Sequence, residues 1–134
     1  MTTIKKLAFA TAVGLLLAAA VPVYAHHSFT KVFDARQPVT VRGVFTRMEW
    51  ANPHVWFHVE VKDEQGKIQK WRFEAQGTPT MSRSGWKRNS FIGDEVIVEG
   101  SKARELIVNG FYTGSVRSVV LVNGNKEVYN NRGQ

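Results

Sequence analysis

Histidine is the residue type in this sequence best suited to carry chemistry. His26 and His27 follow an apolar N-terminal stretch, whereas His54 and His58 lie four residues apart farther along the chain. If a signal peptidase cuts after Ala25, His26 becomes the first residue, and its α-amino group and imidazole can chelate one metal ion together. Nitrogen-rich sites of this kind favour Cu(II) over other first-row divalent ions.

A chelate of this type needs a further imidazole. It is similar to the histidine brace of copper monooxygenases and of some periplasmic copper carriers, and His27, His54 or His58 could complete it. On a strand, His54 and His58 lie roughly 13 Å apart, so without a bulge they cannot share one ion. We expect His54 to join His26, because the Asn52-Pro53 turn places it at a rim, and His58 to be a surface residue. The alternative is a frayed, metal-free terminus.

Two tryptophans suggest a second kind of site. Trp50 and Trp56, with His58 on the same face, could bind a sugar, an aromatic compound or a lipid by stacking. Alternatively, the two rings cap the open ends of a small barrel. Trp71 alternates with Phe73 on a packed face and is assigned to the core. A basic cluster farther on could bind an anion, but we interpret it as a solvated helix end with its indole in the core; it comprises Arg83, Trp86, Lys87 and Arg88.

Support for catalysis is weak. Asp34, Glu49 and Glu60 are carboxylates near the histidines in sequence, and Ser28 is a hydroxyl beside His27. None of these spacings identifies a nucleophile–base pair, and closeness along the chain does not imply one. We therefore expect no metal-free hydrolase. Copper-dependent oxidation stays open, because an N-terminal chelate can also do redox chemistry.

Residues 1–25 have the pattern of a cleaved signal peptide. Lys5 and Lys6 precede an apolar run from Leu7 to Val23, and small residues at positions 23 and 25 suit a signal peptidase. A membrane anchor is the alternative, but a spanning helix needs about 20 apolar residues, and Gly14 and Pro22 interrupt this run. We expect a periplasmic or secreted protein, typical of a Gram-negative bacterium, with no membrane span after cleavage.

Composition narrows the possible partners. Removing 25 residues from 134 leaves 109, enough for one core, and the loss of Lys5 and Lys6 lowers the formal charge from +7 to +5. This mild basic excess suits a solvated surface, an anionic membrane surface or an acidic partner. The absence of cysteine excludes disulfides, thiolate chemistry and a lipid-modified cysteine. An exported protein rarely meets nucleic acid, so we expect none as a partner.

In the mature chain, apolar and polar residues alternate in the pattern that is typical of β-strands. Val39 to Met48 is a predicted strand, bent or bulged at Gly43, where its buried parity changes. His54 to Lys62 and Lys67 to Gln76 form a predicted hairpin with Gly66 at the left-handed turn position. We expect one face of this hairpin to form the core, with Val55, Phe57, Val59 and Val61 packed against Trp71, Phe73, Val96 and Val98.

The second half of the chain starts with a predicted short helix. Thr78 is the expected N-cap, Pro79 suits the first helical position, and the helix should end near Gly85. Predicted strands follow at Glu95 to Gly100 and at Ser115 to Val122. A turn at Asn123-Gly124 and a short strand from Lys126 to Tyr129 complete the pattern, whereas the path of residues 105–114 stays open.

This element order predicts an all-β fold with one short helix. A bent first strand, a hairpin, a helix after the third strand and then further strands are typical of a small OB-like antiparallel β-barrel. A small β-sandwich is the alternative. We assign residues 26–38 to an N-terminal extension, 39–129 to the barrel and 130–134 to a polar tail.

Four motifs together resemble one family of small exported bacterial proteins, known only as a domain of unknown function. They are Ala25-His26-His27-Ser28-Phe29, Trp50-x-Asn52-Pro53-His54-x-Trp56, Arg83-x-Gly85-Trp86 and Gly93-Asp94-Glu95-Val96-x-Val98-x-Gly100. The resemblance implies export and a small β-rich domain, and it implies no activity or cofactor. The expected function is that of an exported domain that binds a small ligand or metal ion, with copper as the candidate. The alternatives are a metal-free module that docks an envelope protein through its aromatic face, and a copper-dependent oxidase.

Overall fold

The computed structural model describes residues 29–131. Contacts within the chain define two compact units, Met1–Val32 and Phe33–Gln134. The described part of the first unit is one helical turn at residues 29–32. The predicted signal peptide, His26, His27 and Ser28 therefore lie outside the described residues, as does the end of the predicted tail, and all that follows concerns the second unit.

Six strands and one short helix make up the described part of this unit. None of the helices among residues 29–131 is long and apolar enough to cross a membrane. In chain order the elements are β1 (Phe33–Glu49), β2 (Trp56–Lys62), β3 (Ile68–Glu74), α1 (Thr78–Arg83), β4 (Glu95–Val108), β5 (Phe111–Leu121) and β6 (Lys126–Asn130).

Five of the strands close into a barrel. β1 pairs antiparallel with β4 through its first half and with β2 through its second half, while β2 pairs with β3 and β4 with β5. A short parallel pairing of β3 with β5, from Trp71↔Tyr112 to Glu74↔Ser115, closes the ring. β6 adds to β5 outside the ring. The small all-β barrel is confirmed and replaces the sandwich alternative, although the closing pair is parallel rather than antiparallel.

The first strand is longer than predicted. The point at which its buried side chains change from odd-numbered to even-numbered positions lies later than predicted. Residues 33–38, assigned above to an N-terminal extension, are the first part of β1. Val41 and Phe45 are buried, Val44 is exposed, and the parity changes between Phe45 and Met48, where the pairing with β2 shifts register. The bulge was thus predicted two to four residues too early, because only the tertiary pairing shows where β1 exchanges one partner for the other.

Gly43 serves a different purpose from the predicted bend. A Cβ atom at this position would collide with the backbone carbonyl oxygen of Glu60 on β2. Glycine therefore lets β2 approach β1 at the point where β1 passes from one partner strand to the other.

The core forms where the hairpin pattern predicted it. Phe57 is fully buried, its ring stacks on Trp86 at a centroid distance of 5.0 Å, and it contacts Phe45 at 5.2 Å. Burial of the Trp86 ring confirms that the indole of the basic cluster is anchored in the core. Of the side chains predicted to point inward, only Val61 is half-buried rather than buried. The buried ones are Val55, Phe57, Val59, Trp71, Phe73, Val96 and Val98.

Residues 105–114, whose path the sequence left open, form a β-hairpin. β4 runs on to Val108, β5 starts at Phe111, and Asn109 and Gly110 between them have φ of 51° and 81°. Two successive positive φ values are typical of a tight two-residue hairpin turn, for which Asn-Gly is the preferred pair. The signal was present in the sequence, as it was for the correctly predicted turn at Asn123-Gly124.

Candidate functional site

The candidate site lies on the outer face of β2 and β3, beside the turn that joins β1 to β2. OB-like barrels bind their ligands on this face and on the adjoining loops. Asn52 anchors the turn, because its Oδ1 accepts hydrogen bonds from the Thr78 backbone N–H at 3.0 Å and from the Thr78 hydroxyl at 2.9 Å. The first residue of α1 is thus capped by a side chain from another part of the chain, and the prediction that Thr78 is the N-cap is wrong, since Gly77 holds that position.

The backbone of this turn also lies against the start of α1. The Asn52-Pro53 peptide bond is cis. A Cβ atom on Gly77 would lie 2.7 Å from the carbonyl oxygen of Pro53, closer than such atoms approach. The absence of a side chain at Gly77 therefore allows the turn to rest on the helix start.

His54 follows this turn and has one ring nitrogen fixed. Its Nδ1 lies 3.0 Å from the backbone carbonyl oxygen of Ala75. A carbonyl oxygen only accepts, so Nδ1 carries the proton and donates, which leaves Nε2 as the ring's second polar atom. That Nε2 lies 3.4 Å from Oε1 of Glu74, and the His54 side chain is 45% exposed. The structure therefore places His54 at an accessible rim, as the sequence predicted.

Glu74 is the last residue of β3 and the cross-strand partner of Trp56. Its side chain is 21% exposed. Burial raises the pKa of Glu74 above its ordinary value, while the charges of His54 and Arg72 oppose that rise. Glu74 was absent from the residues singled out in the sequence. Its position on the polar side of the predicted third strand was the signal that could have found it.

His58 occupies a closed environment, so the prediction of a surface residue is wrong. It is only 6% exposed. Its Nε2 lies 2.6 Å from Oε1 of Glu49, and its ring meets Phe111 edge-on at a centroid distance of 5.1 Å. Alternation assigned His58 correctly to the outside of the barrel. The sequence did not show that the β4–β5 hairpin brings Phe111 over that outer face.

Glu49 links the closed histidine to the neighbouring strand. Its Oε2 accepts from a terminal nitrogen of Arg72 at 3.5 Å, at the outer limit of a hydrogen bond. Burial would raise the pKa of Glu49, but the hydrogen bond with His58 and the charges of Arg72 and Arg47 outweigh it and lower that pKa. Glu49 is therefore held as a carboxylate with both oxygens engaged.

The two tryptophans of this region are half-buried rather than free. Trp50 packs against the edge of the core. The ring of Trp56 is covered by the Arg72 guanidinium, whose central carbon lies 3.9 Å from the ring centroid. This face of Trp56 is thus already occupied by a cation, which leaves less of the ring for stacking on an organic ligand.

An adjacent cleft is too small for a typical organic ligand. Its volume of about 190 Å³ lies below the roughly 300–1,000 Å³ of pockets for such molecules. Among residues 29–131, no group of three or more His, Cys, Asp or Glu side chains is arranged to hold a metal ion. The cleft is lined by Thr46, Arg47, His58, Val59, Glu60, Lys70, Trp71 and Phe111.

The structure does not bring the remaining sequence candidates to this face. Asp34 is buried, and hydrogen bonds from the Arg36 side chain and backbone, with the nearby charge of Arg104, lower its pKa to about 2. Asp34 is thus a structural carboxylate near the start of β1. Arg83, Lys87 and Arg88 are exposed, in agreement with a solvated helix end.

A closed five-stranded barrel with OB-like strand order and a histidine–carboxylate cluster on its outer face defines the class of this domain. The chain belongs to DUF6152, a family of unknown function whose model matches residues 12–112. The match covers the barrel from β1 to the first residues of β5 and confirms that the chain belongs to a family of unknown function. Neither a curated protein nor a solved structure matches the chain significantly.

Proposed function

We propose that this protein is an exported, small ligand-binding barrel and that its ligand is a Cu(II) ion. His54 is the ligand that the barrel contributes. The other nitrogen donors are those expected from the sequence, the α-amino group and imidazole of His26 after cleavage. The exposed ring of His54 carries the proposal, because its Nδ1 donates to the Ala75 carbonyl. Metal-binding histidines are typically oriented by such a hydrogen bond from the second ring nitrogen.

The contrast with His58 supports the choice of His54. The Nε2 of His58 lies 2.6 Å from a Glu49 oxygen, and the residue is 6% exposed. Copper binding at that nitrogen would break this contact and leave Glu49 with Arg72 alone. His54 needs no such rearrangement, because its Nε2 lies 3.4 Å from the nearest carboxylate and its side chain is 45% exposed.

Export is the premise of this proposal and is tested first. We expect the full chain, expressed in a Gram-negative host, to be recovered from the periplasm with His26 as its first residue. Intact-mass measurement decides the matter. A mature protein that begins at Ser28 or later would lack the chelating terminus and would contradict the copper site as proposed.

Isothermal titration with Cu(II) in a weakly coordinating buffer tests the site. The mature protein should bind one Cu(II) per chain, with affinity that falls as the pH drops because protons compete for the same nitrogens. Acetylation of the His26 α-amino group should weaken binding strongly, because the amine can then no longer bind the ion together with the imidazole. His54→Ala should also weaken binding strongly, whereas His27→Ala, the matched control at the terminus, should not. Equal affinity of the acetylated and free-amine proteins would rule out the chelate.

The same preparations distinguish two other functions. A mature protein that binds no copper would favour a metal-free module that docks an envelope partner. Peroxide formation by the copper-loaded protein in the presence of a reductant would favour a copper-dependent oxidase. Binding without such turnover is the result expected here.

A further inference from the structure

Three aromatic rings of β3 and β5 form a stack. The ring of Trp71 stacks on that of Phe73 at a centroid distance of 5.4 Å and on that of Tyr112 at 5.2 Å, with interplanar angles of 9° and 24°. Phe73 and Trp71 are buried, whereas Tyr112 is half-buried. No other described ring contacts Tyr112. Tyr112 is therefore the outermost ring of the stack.

A cavity lies beside Tyr112, where β3 and β5 are not yet paired. The parallel ladder between these strands begins only at Trp71↔Tyr112. The lining comes from the β2–β3 turn, the start of β3 and the β4–β5 hairpin, where Gly110 adds no side chain. Its volume of about 290 Å³ lies just below the roughly 300–1,000 Å³ of pockets for drug-sized molecules. The cavity therefore suits a molecule of one or two rings.

The apolar part of the lining favours an aromatic ring. Ile68, which lines the cavity, is a large apolar side chain that is 44% exposed. A ring placed in the cavity would cover Ile68 and extend the stack at Tyr112, and aromatic pairs are stabilised beyond the area that they bury. The Trp56 ring differs in this respect, because the Arg72 guanidinium already covers one of its faces.

The polar part of the lining favours a negative charge. Lys67 and Lys70 both line the cavity and are exposed. Within the described part of the chain, neither ammonium group makes a hydrogen bond or an ion pair. The carboxylate of the lining, Asp63, is engaged by the turn, because its Oδ1 accepts from the backbone N–H groups of Gln65 and Lys67 at 3.0 and 2.8 Å. Two uncommitted cations thus face one committed carboxylate.

We infer that this cavity is a second ligand site, separate from the proposed copper site, and that it binds a small aromatic carboxylate. The ring of the ligand stacks on Tyr112 beside Ile68, and its carboxylate meets the ammonium groups of Lys67 and Lys70. Gln69 supplies a further donor, because its Oε1 accepts from the Trp71 indole N–H at 3.4 Å and its amide N–H groups are left to the ligand.

Two-dimensional NMR of the isotopically labelled mature protein tests the site, with benzoate as the probe. The N–H signals of Ile68 and Gly110 and the side-chain amide of Gln69 should shift and saturate together. Two matched probes separate ring from charge. Cyclohexanecarboxylate, which has the charge without the aromatic ring, and benzyl alcohol, which has the ring without the charge, should each bind about 3–10-fold more weakly.

Substitutions assign the two parts of the ligand to the protein. Tyr112→Leu should weaken benzoate binding about 3–10-fold and remove its advantage over cyclohexanecarboxylate, whereas Tyr112→Phe, which keeps the ring, should stay within about twofold. Lys67→Gln and Lys70→Gln change exposed side chains that the fold does not need, and each should weaken binding about 2–5-fold. Lys126→Gln, the matched control on exposed β6, should leave the affinity unchanged.

The outcomes also separate this site from the proposed copper site. His54→Ala removes the proposed copper ligand and should leave benzoate binding unchanged. Shifts that spread over the surface without saturating would overturn the inference. So would equal binding of benzoate and cyclohexanecarboxylate, or a loss in Lys126→Gln as large as that in Lys70→Gln. A mature protein that binds benzoate but no copper would support this site and contradict the copper proposal.

Discussion

Two histidine–carboxylate pairs lie on neighbouring parts of one barrel face and differ in almost every physical respect. His58 and Glu49 are 2.6 Å apart, and the histidine is buried beneath Phe111. His54 and Glu74 are 3.4 Å apart, with side chains that are 45% and 21% exposed. The first pair is satisfied within the protein, whereas the second has an accessible ring and an incomplete contact.

The comparison shows that residue type alone does not define a binding site. Both histidines lie on the outer side of the β2 segment, and both face a glutamate. Burial and saturation of hydrogen bonds make the closed pair a structural element, because an internal bond formed at 2.6 Å leaves little to gain from an outside ligand. The open pair, His54 and Glu74, stays accessible to an outside ligand, because solvent reaches it and only one ring nitrogen of His54 is fixed.

Removing the buried side chain that lies beneath both histidine–carboxylate pairs should lower the stability of the domain most. Phe57 lies on β2 between His54 and His58, is fully buried and stacks on Trp86. Phe57→Ala should lower the free energy of unfolding by about 3–5 kcal/mol, through lost burial and the cavity left behind. Urea denaturation measures the change, and Val61→Ala, half-buried on the same side of β2, should cost clearly less. A melting temperature within a degree or two of wild type would reverse the inside–outside assignment.

Removing each histidine should then show which one stabilises the fold and which one binds copper. His58→Ala should lower the free energy of unfolding by about 1.5–3 kcal/mol, because it removes a charge-assisted hydrogen bond and the contact with Phe111. His54→Ala should cost under about 0.5 kcal/mol, as expected for an exposed side chain. Copper affinity should show the opposite ranking, with the larger loss in His54→Ala. Equal stability losses would remove the distinction between a closed and an open pair.

The loss of stability at acidic pH should depend on the closed pair, His58 and Glu49. The pKa of Glu49 is lower in the folded protein than its ordinary value of 4.5. Its stabilising contribution is therefore fully present above about pH 4.5 and is lost as the pH falls through the lowered folded value. Glu49→Gln should cost about 1–2 kcal/mol at pH 7 and progressively less in acid. Denaturation from pH 7 to pH 2.5 checks this, and a difference that is constant with pH would contradict it.

A substitution at Trp56 tests where the proposed ion binds. Trp56 follows His54 by two residues on the same outer face, so its indole lies near the proposed ion. Cu(II) should quench part of the intrinsic fluorescence of the mature protein, and Trp56→Phe should remove most of the quenchable part while keeping the affinity. Quenching that persists unchanged in Trp56→Phe would place the ion elsewhere.

Alternation predicted the barrel's interior well, because side-chain parity along β2 and β3 follows directly from strand geometry. Periodicity identifies the inner and outer faces of a strand, but it does not show which part of the outer face another element covers. His58 was therefore assigned to the surface, although Phe111 buries it. The cap of α1 was missed for a similar reason, since Asn52 reaches Thr78 from 26 positions earlier in the chain.

The sixth strand is the edge strand that closure of the barrel leaves over. Closure of β1 to β5 leaves β6 as an added strand beside β5, only five residues long and starting with Lys126 and Glu127. The Trp86 indole N–H takes up one backbone acceptor of this strand, the Val128 carbonyl, at 2.8 Å. Short, charged and partly occupied edges are poor templates for strand addition. The edge strand of the barrel is thus a poor template for a strand from another copy, and it is tied to the core through the Trp86 indole.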